Sequence, residues 1–348
     1  MNASASAVGG NGGTGAPRAP GAGGESADAR SGGAARGPVA LVGLGLVGTA
    51  LGQRMRQAGL AVLGFDRRPE ACAAWQATGG EVVPSLRELG ERCACAVLAV
   101  FDTAGVLEVV EGAIDRSAER AARAADAAGT EGPGHRPDAL TSGSALRAVI
   151  DCSTGDPEAL QALAERLAAR GIALIEAPLS GSSQQIAEGE ATMLLGGTAT
   201  AVASNTALLE VLSPRRIHVG GAGMGARAKL ATNLVLGLNR AVLAEGLVFA
   251  ERLGIAPATF LELVLATPAR SDAALAKGRQ MVEGDFAPRS RIHQHLKDVR
   301  LMLVGAAAAG QRLPLSEAHA ALLRAAIAAG DGDLDNAAIV RQLRRETR

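Results

Sequence analysis

The stretch PVALVGLGLVGTALGQRMRQAGLAVLGFDRRPEA, residues 38–71, decides the fold. Its apolar run at residues 39–42 has the length and composition of a buried strand. The run leads into GLGLVG at residues 43–48, and a helical pattern follows as far as Ala58. A second apolar run at residues 60–65 ends at Asp66. A strand, a glycine loop that opens a helix, and a second strand that ends in an acid are together typical of a βαβ unit that binds a dinucleotide.

The glycines of this loop stand where the backbone needs room. Gly43 permits the tight turn, Gly45 lets the backbone approach a pyrophosphate, and Gly48 lets the helix pack closely on the strand. The start of the helix offers free N–H groups and a partial positive charge to the phosphates. The residues of this unit predicted to bind the cofactor are Gly43, Leu44, Gly45, Leu46, Val47, Gly48, Asp66, Arg67 and Arg68.

The acid at the end of the second strand favours one form of the cofactor. Asp66 would accept hydrogen bonds from the ribose hydroxyls of NAD and would repel the 2′-phosphate of NADP. Arg67 and Arg68 act in the other direction, because an arginine at this place can hold a 2′-phosphate or lie over the adenine. We therefore expect NAD, with NADP left open.

Strand and helix patterns alternate along the first part of the chain. Further strand candidates lie at residues 94–100, 148–151, 172–175 and 193–195, with helical segments between them. This alternation predicts an α/β fold with a parallel, doubly wound sheet. One segment interrupts it, at about residues 115–147, and its Ala, Arg and Gly content favours a surface loop or a frayed helix.

The character of the sequence changes after Gly225. Residues 226–253 contain no proline and no strand-like run, so they predict an interdomain helix of about 28 residues and about 42 Å. The chain beyond it is helical, with breaks at prolines. We predict a Rossmann-type domain at residues 37–220 and an all-α domain at 221–348. Residues 1–36 lack leucine, isoleucine and phenylalanine, and this predicts a disordered tail.

Composition excludes several classes of function. The formal net charge is zero over 348 residues, which argues against binding to nucleic acid or to an anionic membrane. Aromatic residues make up 2% of the chain, too few to stack single-stranded bases. The four cysteines form no CxxC pair and favour a reducing, cytoplasmic location. There is no run of about 18 apolar residues, so we expect no membrane span.

Two further turns follow predicted strands. Ser153 lies in DCST, residues 151–154, and Ser180, Gly181 and Ser182 lie in APLSGS. In a doubly wound sheet both turns fall at the carboxyl edge, where ligands bind. The Ser-Gly-Ser turn opens a helix, so it offers hydroxyl and backbone donors suited to a carboxylate. Together with GLGLVG, the two turns predict one site along this edge.

The stretch GGAGMGARAKLATN, residues 220–233, also begins with glycines. No strand that ends in an acid follows it, so we interpret its glycines as the turn from the sheet domain into the interdomain helix. Lys229 and Asn233 then lie at positions i and i+4, on one face of that helix.

These motifs together resemble the β-hydroxyacid dehydrogenase family, which includes 3-hydroxyisobutyrate dehydrogenase, tartronate semialdehyde reductase and the threonate dehydrogenases. GLGLVGTAL with DRRPEA, DCSTGDP, APLSGSS, GAGMGARAKLATN and HLKDVRLML occur in the family's order over about residues 38–340. The resemblance implies a Rossmann domain, a long interdomain helix and an α-helical domain. It also implies a small hydroxyacid substrate and a homodimer or homotetramer.

The resemblance assigns roles to individual positions. Lys229 matches the family's catalytic lysine, and Asn233 matches the asparagine one turn later. Ser180, Gly181 and Ser182 match its substrate-carboxylate turn, although Ser182 replaces the usual glycine and is expected to narrow the pocket or to add a substrate contact. The remaining positions expected at the cofactor are Val100, Phe101, Asp102, Ser153 and Lys297, and Lys297 is also expected to contact the substrate.

Such an enzyme needs a proton donor. Hydride transfer between nicotinamide and a substrate carbon must be matched by proton transfer at the oxygen, and Lys229 is suited to donate that proton in reduction and to accept it in oxidation. We therefore expect an NAD(P)-dependent oxidoreductase acting on 3-hydroxyisobutyrate or a short sugar acid. Two alternatives stay open: a catalytically silent dinucleotide-binding protein, and a related reductase of another carbonyl or an imine.

We expect no metal site at His293 and His295, because side chains at i and i+2 do not lie on one helix face.

Overall fold

The computed structural model describes residues 37–112, 138–142 and 145–346. The predicted disordered tail, residues 1–36, lies outside the described residues, as does most of the predicted insertion at about 115–147. Within the insertion, the described part includes the short 3-10 helix Leu140–Ser142, whose first side chain is fully buried.

The first half of the described chain builds one nine-stranded sheet. Its strands are β1 (Val39–Val42), β2 (Val62–Phe65), β3 (Glu81–Val82), β4 (Cys95–Leu98), β5 (Ala148–Asp151), β6 (Ala173–Glu176), β7 (Leu179–Ser180), β8 (Thr192–Gly196) and β9 (Arg215–Gly220). Six strands are parallel in the order β3-β2-β1-β4-β5-β6. Strand β8 runs antiparallel to both β6 and β7, and β9 lies parallel beside β8.

Helices lie between the strands and make up the whole second half. Those of the sheet half are α1 (Leu46–Gln57), α2 (Pro69–Ala77), α3 (Leu86–Arg92), α4 (Thr103–Glu111), α5 (Pro157–Ala168), α6 (Ser183–Glu188), α7 (Ala199–Ser204) and α8 (Thr206–Leu212). The second half contains α9 (Met224–Arg252), α10 (Pro257–Ala266), α11 (Asp272–Glu283), α12 (Ile292–Ala308), α13 (Pro314–Ala328), the 3-10 turn Asn336–Ala338 and α14 (Ile339–Glu346). The predicted fold class, a doubly wound α/β sheet followed by a long helix and an all-α part, is confirmed.

Three hydrophobic cores hold these elements together. Strands β1, β4 and β5 are buried along their whole length, because helices cover both faces of the parallel sheet. One face packs around Leu51 and Trp75, and the other around Leu98 and Leu163. The helical half has its own core, in which Leu247 of α9 is fully buried.

The ends of the strands differ from the sequence pattern. The run at residues 94–100 forms only β4, since residues 99–100 already turn into the ligand-binding edge, and the run at 60–65 forms only β2, which begins two residues after the start of the run. The sequence patterns do not predict strands β3, β7 and β9. The first two have only two residues each, and β9 is polar and largely exposed, so neither length nor periodicity marks them.

Helix α9 links the two halves. Its 29 residues agree with the predicted helix at residues 226–253 to within two residues at each end. By length and composition it is the one helix in the described part of the chain that could cross a membrane, but half of its most apolar window is buried inside the fold. A long core helix has the same composition, so packing accounts for it. The predicted division of the chain after residue 220 stays a prediction.

Helix α1 approaches the turn after β1 too closely for a side chain. A Cβ atom at Gly48 would lie 1.7 Å from the carbonyl oxygen of Gly43. The neighbouring atom is backbone, so it cannot swing away, and a larger residue would have to push the helix off the sheet.

We therefore expect opposite effects from two alanine substitutions in helices. Gly48→Ala lowers the free energy of unfolding by about 1–3 kcal/mol, because the added methyl group overpacks against the backbone. Gly305→Ala raises it by about 0.5–1 kcal/mol, because Gly305 is exposed in α12, its Cβ would meet no atom within 4 Å, and alanine is the better helix former. Urea unfolding followed by circular dichroism measures both, and equal shifts in the two variants would contradict the close-packing argument.

Candidate active site

The glycine loop leaves the start of α1 open to a ligand. Gly43 has φ of +91°, and a Cβ there would lie 2.3 Å from the carbonyl oxygen of Ala99, so the turn requires glycine. At Gly45 a Cβ would face open space, with only Nη2 of Arg68 near it at 3.8 Å. Among the residues that the structure describes, no side chain caps α1, so its first N–H groups are without a side-chain acceptor. A cofactor phosphate fits this place, because it supplies those acceptors.

A cleft of about 510 Å³ runs along this loop. Val47 packs against the core, whereas Leu46 is exposed toward the opening. Arg291, which precedes α12, contributes from the helical half, so both halves of the protein form the cleft. Its lining residues are Leu44, Gly45, Leu46, Thr49, Ala50, Gln53, Arg68, Glu70, Ala71, Ser183, Gln184, Ala187 and Arg291.

The acid after β2 is held in an ionised, oriented state. Oδ2 of Asp66 accepts the backbone N–H of Leu44 at 2.8 Å, and Nε and Nη2 of Arg68 donate to its two oxygens, each at 3.0 Å. Burial alone would raise the pKa of Asp66, but the hydrogen bonds from Arg68 and Leu44 outweigh it and hold this pKa below its ordinary value. Arg67 is exposed and lies 3.8 Å from Glu108.

The loops after β4 and β5 meet at the same edge. Oγ of Ser153 accepts the N–H of Val100 at 3.1 Å, and the N–H of Ser153 donates to Oδ1 of Asp151 at 2.9 Å. Phe101 is exposed, and the carboxylate of Asp102 caps the start of α4. Ser153 and Val100 are therefore in direct contact, while the carboxylate of Asp102 already has a structural partner.

Lys297 crosses from α12 to this edge. Its Nζ donates to the carbonyl oxygen of Thr154 at 2.5 Å and lies 3.1 Å from Oδ1 of Asp298. The ammonium is also 5.6 Å from the centroid of the Phe101 ring, a distance at which a cation is attracted to an aromatic face. Lys297 thus joins the helical half to the loops after β4 and β5.

The Ser-Gly-Ser turn begins at Ser180, the last residue of β7, which is the short strand that follows β6. Gly181 has φ of +155°, and a Cβ there would lie 2.8 Å from Cβ of Ala191. Oγ of Ser182 accepts the N–H of Gln185, and the side chain of Gln185 accepts the N–H of Ser182, which is a capping box for α6. We expected Ser182 to narrow the pocket or to contact the substrate. In the structure its hydroxyl caps the start of α6.

Lys229 lies beside that turn. It is 7% exposed, and its Nζ donates to the carbonyl oxygen of Leu179 at 2.6 Å, one residue before Ser180. Burial lowers the pKa of Lys229 to about 8; the charge of Asp298 opposes this shift, and the charge of Lys297 adds to it. A buried ammonium with a pKa near neutrality can both give and take a proton.

Asn233 lies one turn further along α9 and is also buried. Its Nδ2 donates to Oδ2 of Asp298 at 3.1 Å, and Asp298 also pairs with Lys297 through its other oxygen. Asp298 therefore orients both Asn233 and Lys297. The sequence patterns left Asp298 without a role, although it follows Lys297 directly in the quoted HLKD motif.

A second carboxylate without a predicted role fixes the start of α9. Glu176, the last residue of β6, is 1% exposed and accepts the backbone N–H groups of Gly223 and Ala226, the latter at 2.7 Å. Burial raises the pKa of Glu176, and these two hydrogen bonds oppose the rise. The chain turns at Gly223, with φ of +85°, directly before α9. The glycines before Lys229 thus serve as the predicted turn into the helix.

The remaining candidates lie apart from this edge or serve the core. Cys152 is buried, and burial raises the pKa of its thiol far above the ordinary value. His293 is exposed, whereas His295 is buried in the helical half. Within residues 37–112, 138–142 and 145–346, no three His, Cys, Asp or Glu side chains are grouped to hold a metal ion.

Two family profiles together match nearly all of the described chain. Residues 38–130 and 136–221 match the profile described as the NAD binding domain of 6-phosphogluconate dehydrogenase. Residues 223–343 match the profile described as NAD-binding of NADP-dependent 3-hydroxyisobutyrate dehydrogenase. The two matches meet at the turn that precedes α9.

Individual proteins of the same kind are similar over their full length. L-threonate dehydrogenase of Cupriavidus necator is 28% identical over 304 residues, which cover 87% of this chain and 95% of that protein. 2-(Hydroxymethyl)glutarate dehydrogenase of Eubacterium barkeri is 27% identical, with 87% and 93% covered. The crystal structure of 3-hydroxyisobutyrate dehydrogenase from Salmonella typhimurium superposes with a TM-score of 0.72 at 25% identity, with 87% and 98% covered.

These matches extend over both halves of the protein and include the cleft, the serine turn and α9. The chain belongs to the 3-hydroxyisobutyrate dehydrogenase, or β-hydroxyacid dehydrogenase, family of NAD(P)-dependent oxidoreductases.

Proposed function

We propose that this enzyme interconverts a short β-hydroxyacid and its semialdehyde, with Lys229 as the proton donor in reduction and the proton acceptor in oxidation. The compounds we propose are 3-hydroxyisobutyrate and short sugar acids. The observation that carries the proposal is the burial of Lys229 beside the Ser-Gly-Ser turn, with its Nζ 2.6 Å from the carbonyl oxygen of Leu179.

The use of lysine in this sequence supports the assignment. The chain contains only three lysines, and arginine supplies the rest of its cationic side chains. Lys277 is bound by both oxygens of Asp335, at 2.7 and 2.9 Å, and Lys297 pairs with Asp298. Lys229 alone of the three donates only to a backbone carbonyl among the described residues. Burial can bring a lysine, unlike an arginine, to a pKa near neutrality, so this lysine is suited to proton transfer.

The residues around Lys229 divide the remaining tasks. When bound, NAD(P) supplies the hydride donor or acceptor, and the cradle at Gly45 and the start of α1 suits its pyrophosphate. The Gly181 N–H and the Ser180 hydroxyl of the Ser-Gly-Ser turn suit the substrate carboxylate, whereas the Ser182 N–H already donates to the side chain of Gln185. In oxidation, neutral Lys229 takes the hydroxyl proton; in reduction, its ammonium returns a proton to the carbonyl oxygen. Asn233, held by Asp298, suits the same oxygen as a hydrogen-bonding partner.

We further propose that the preferred cofactor is NAD. The ionised carboxylate of Asp66 lies at the end of β2, where the ribose of a dinucleotide binds in this fold, and its low pKa keeps it charged. Arg68 partly neutralises it, since both of its donor nitrogens contact the carboxylate. The oligomeric state and the cytoplasmic location stay predictions from the sequence.

Lys229→Ala is expected to retain NADH binding and to lose turnover by about 10²–10⁴-fold, because a proton donor contributes that much to the rate. NADH fluorescence measures the binding, and NADH oxidation with methylmalonate semialdehyde or tartronate semialdehyde measures the turnover. Lys277→Gln is the matched control: it alters another buried lysine of the helical half, so it should lower the melting temperature and keep the rate. Near-normal turnover of Lys229→Ala would refute the assignment.

The cofactor proposal is tested by kcat/KM for NAD and NADP with one hydroxyacid. The wild-type protein should prefer NAD, and Asp66→Asn should move the ratio toward NADP by at least about tenfold, because it removes the charge that repels a 2′-phosphate and releases Arg68. Glu91→Gln, at an exposed acid of α3 outside the cleft lining, should leave the ratio unchanged. A wild-type preference for NADP would overturn the proposal.

A further inference from the structure

The helix face that carries Lys229 and Asn233 continues deeper into the helical half. Gly237 and Arg240 follow at i+8 and i+11 from Lys229. The side chain of Arg240, three turns after Lys229, is therefore only about 20° out of line with that of Lys229. All four residues are buried. The buried face that carries Lys229 therefore extends into the interior of the helical half.

Arg240 is a buried cation to which the described residues offer no hydrogen bond or ion pair. It is 6% exposed, and none of the hydrogen bonds or ion pairs among the described residues includes its guanidinium. Burial lowers the pKa of Arg240 to about 10, and the charges of Asp335 and Asp298 only partly oppose this shift. Asp335 binds Lys277, and Asp298 binds Asn233 and Lys297. A guanidinium has five N–H donors, and burying it without an acceptor is very unfavourable.

Two buried histidines lie near enough to Arg240 for its charge to act on them. His295 and His319 are 5% and 3% exposed, their ring centroids are 5.0 Å apart, and Nε2 of each has no hydrogen-bond partner in the part of the chain that the structure describes. A Cβ at Gly237 would lie 2.6 Å from Nε2 of His295 and 3.2 Å from Cε1 of His319, so the glycine makes room for both rings. Burial, with a further contribution from the charge of Arg240, lowers the pKa of both, that of His319 to about 4.

The two imidazoles are therefore neutral at neutral pH, and each can donate one hydrogen bond. Arg240 then supplies the single unmatched positive charge of this cluster. A partner of one negative charge with several acceptor atoms, which is a carboxylate, satisfies it; a phosphate dianion would need a second cation.

The cluster is also close enough to Lys229 for their charges to interact. The positive charge of Arg240 contributes to the low pKa of Lys229, after burial and the charge of Lys297, and the charge of Asp298 acts on both side chains. Side chains on a helix lean toward its N-terminus, so Arg240 reaches back along α9 toward Asn233. The Cα atoms of Lys229 and Arg240 are about 16 Å apart along the axis. A substrate that reaches the guanidinium must therefore extend beyond its reacting end along α9.

We propose that Arg240, together with His295 and His319, binds a second carboxylate at the far end of the substrate, so that the preferred substrates are hydroxyacids with two carboxylates. The inference rests on the proposed function, because it takes the Ser-Gly-Ser turn as the site of the first carboxylate and Lys229 as the group at the reacting oxygen. Arg240 is then the residue that selects the substrate's side chain.

The test compares two substrates that differ only at that end. 2-(Hydroxymethyl)glutarate and 2-(hydroxymethyl)pentanoate share the hydroxyacid head, and a terminal carboxylate in the first replaces a methyl group in the second. The wild-type protein should favour the dicarboxylate in kcat/KM, and Arg240→Met should reduce the ratio at least about 30-fold, mainly through KM of the dicarboxylate. Arg300→Met removes an exposed arginine of α12 and should leave the ratio unchanged. Equal use of both substrates by the wild type, or an equal loss for both in Arg240→Met, would overturn the proposal.

A binding measurement separates this proposal from the proposed function. Arg240→Met replaces an unpaired buried charge with an apolar side chain of similar length, so its melting temperature without ligand should not fall. Glutarate should raise the melting temperature of the wild type more than pentanoate does, and this difference should vanish in Arg240→Met. If that shift is seen and no hydroxyacid is turned over, the proposed function fails and the carboxylate site stands. If hydroxyacids are turned over and glutarate stabilises both proteins equally, the carboxylate site fails and the proposed function stands.

Discussion

The site depends on the two hydrogen bonds by which Glu176 fixes the start of α9. Glu176 ends β6 at the carboxyl edge of the sheet, and its buried carboxylate accepts the N–H groups of Gly223 and Ala226. A carboxylate at this end also matches the partial positive charge of the helix. Because the helix is fixed there, Lys229 lies within its second turn, against the carbonyl oxygen of Leu179. The sheet thus determines where the helical half presents its lysine.

The same arrangement determines the chemistry available at that lysine. Burial removes water from the ammonium and lowers its pKa to about 8, while Asp298 limits the fall. Asp298 also holds Asn233 and Lys297, so one carboxylate connects the neighbour of Lys229 on α9 with the residue that contacts the loop at Thr154. The electrostatics of the site therefore come mainly from the helical half, whereas the cradle for the dinucleotide comes from the sheet.

The sequence predicts the parts of this structure whose physical cause is local. The glycine loop, the order of strands and helices, and the extent of α9 follow from periodicity and from the steric needs of Gly43 and Gly48. The partners of the site residues do not, because Glu176 reaches Gly223 over 47 positions and Asn233 reaches Asp298 over 65. Contacts of that kind leave no trace in spacing. The short strands β3 and β7 escape for a different reason, since two residues give no period.

The central claim is that Lys229 carries the proton during hydride transfer, and the pH dependence of kcat in both directions tests it most directly. The two buried histidines of the helical half, His295 and His319, have lowered pKa values and do not titrate near pH 8. Protonated Lys229 is required for reduction, so that rate should be constant at low pH and fall as pH rises through about 8. The rate of oxidation should rise through the same pH and level off above it. Flat profiles from about pH 6 to 10, or equal trends in the two directions, would contradict the account.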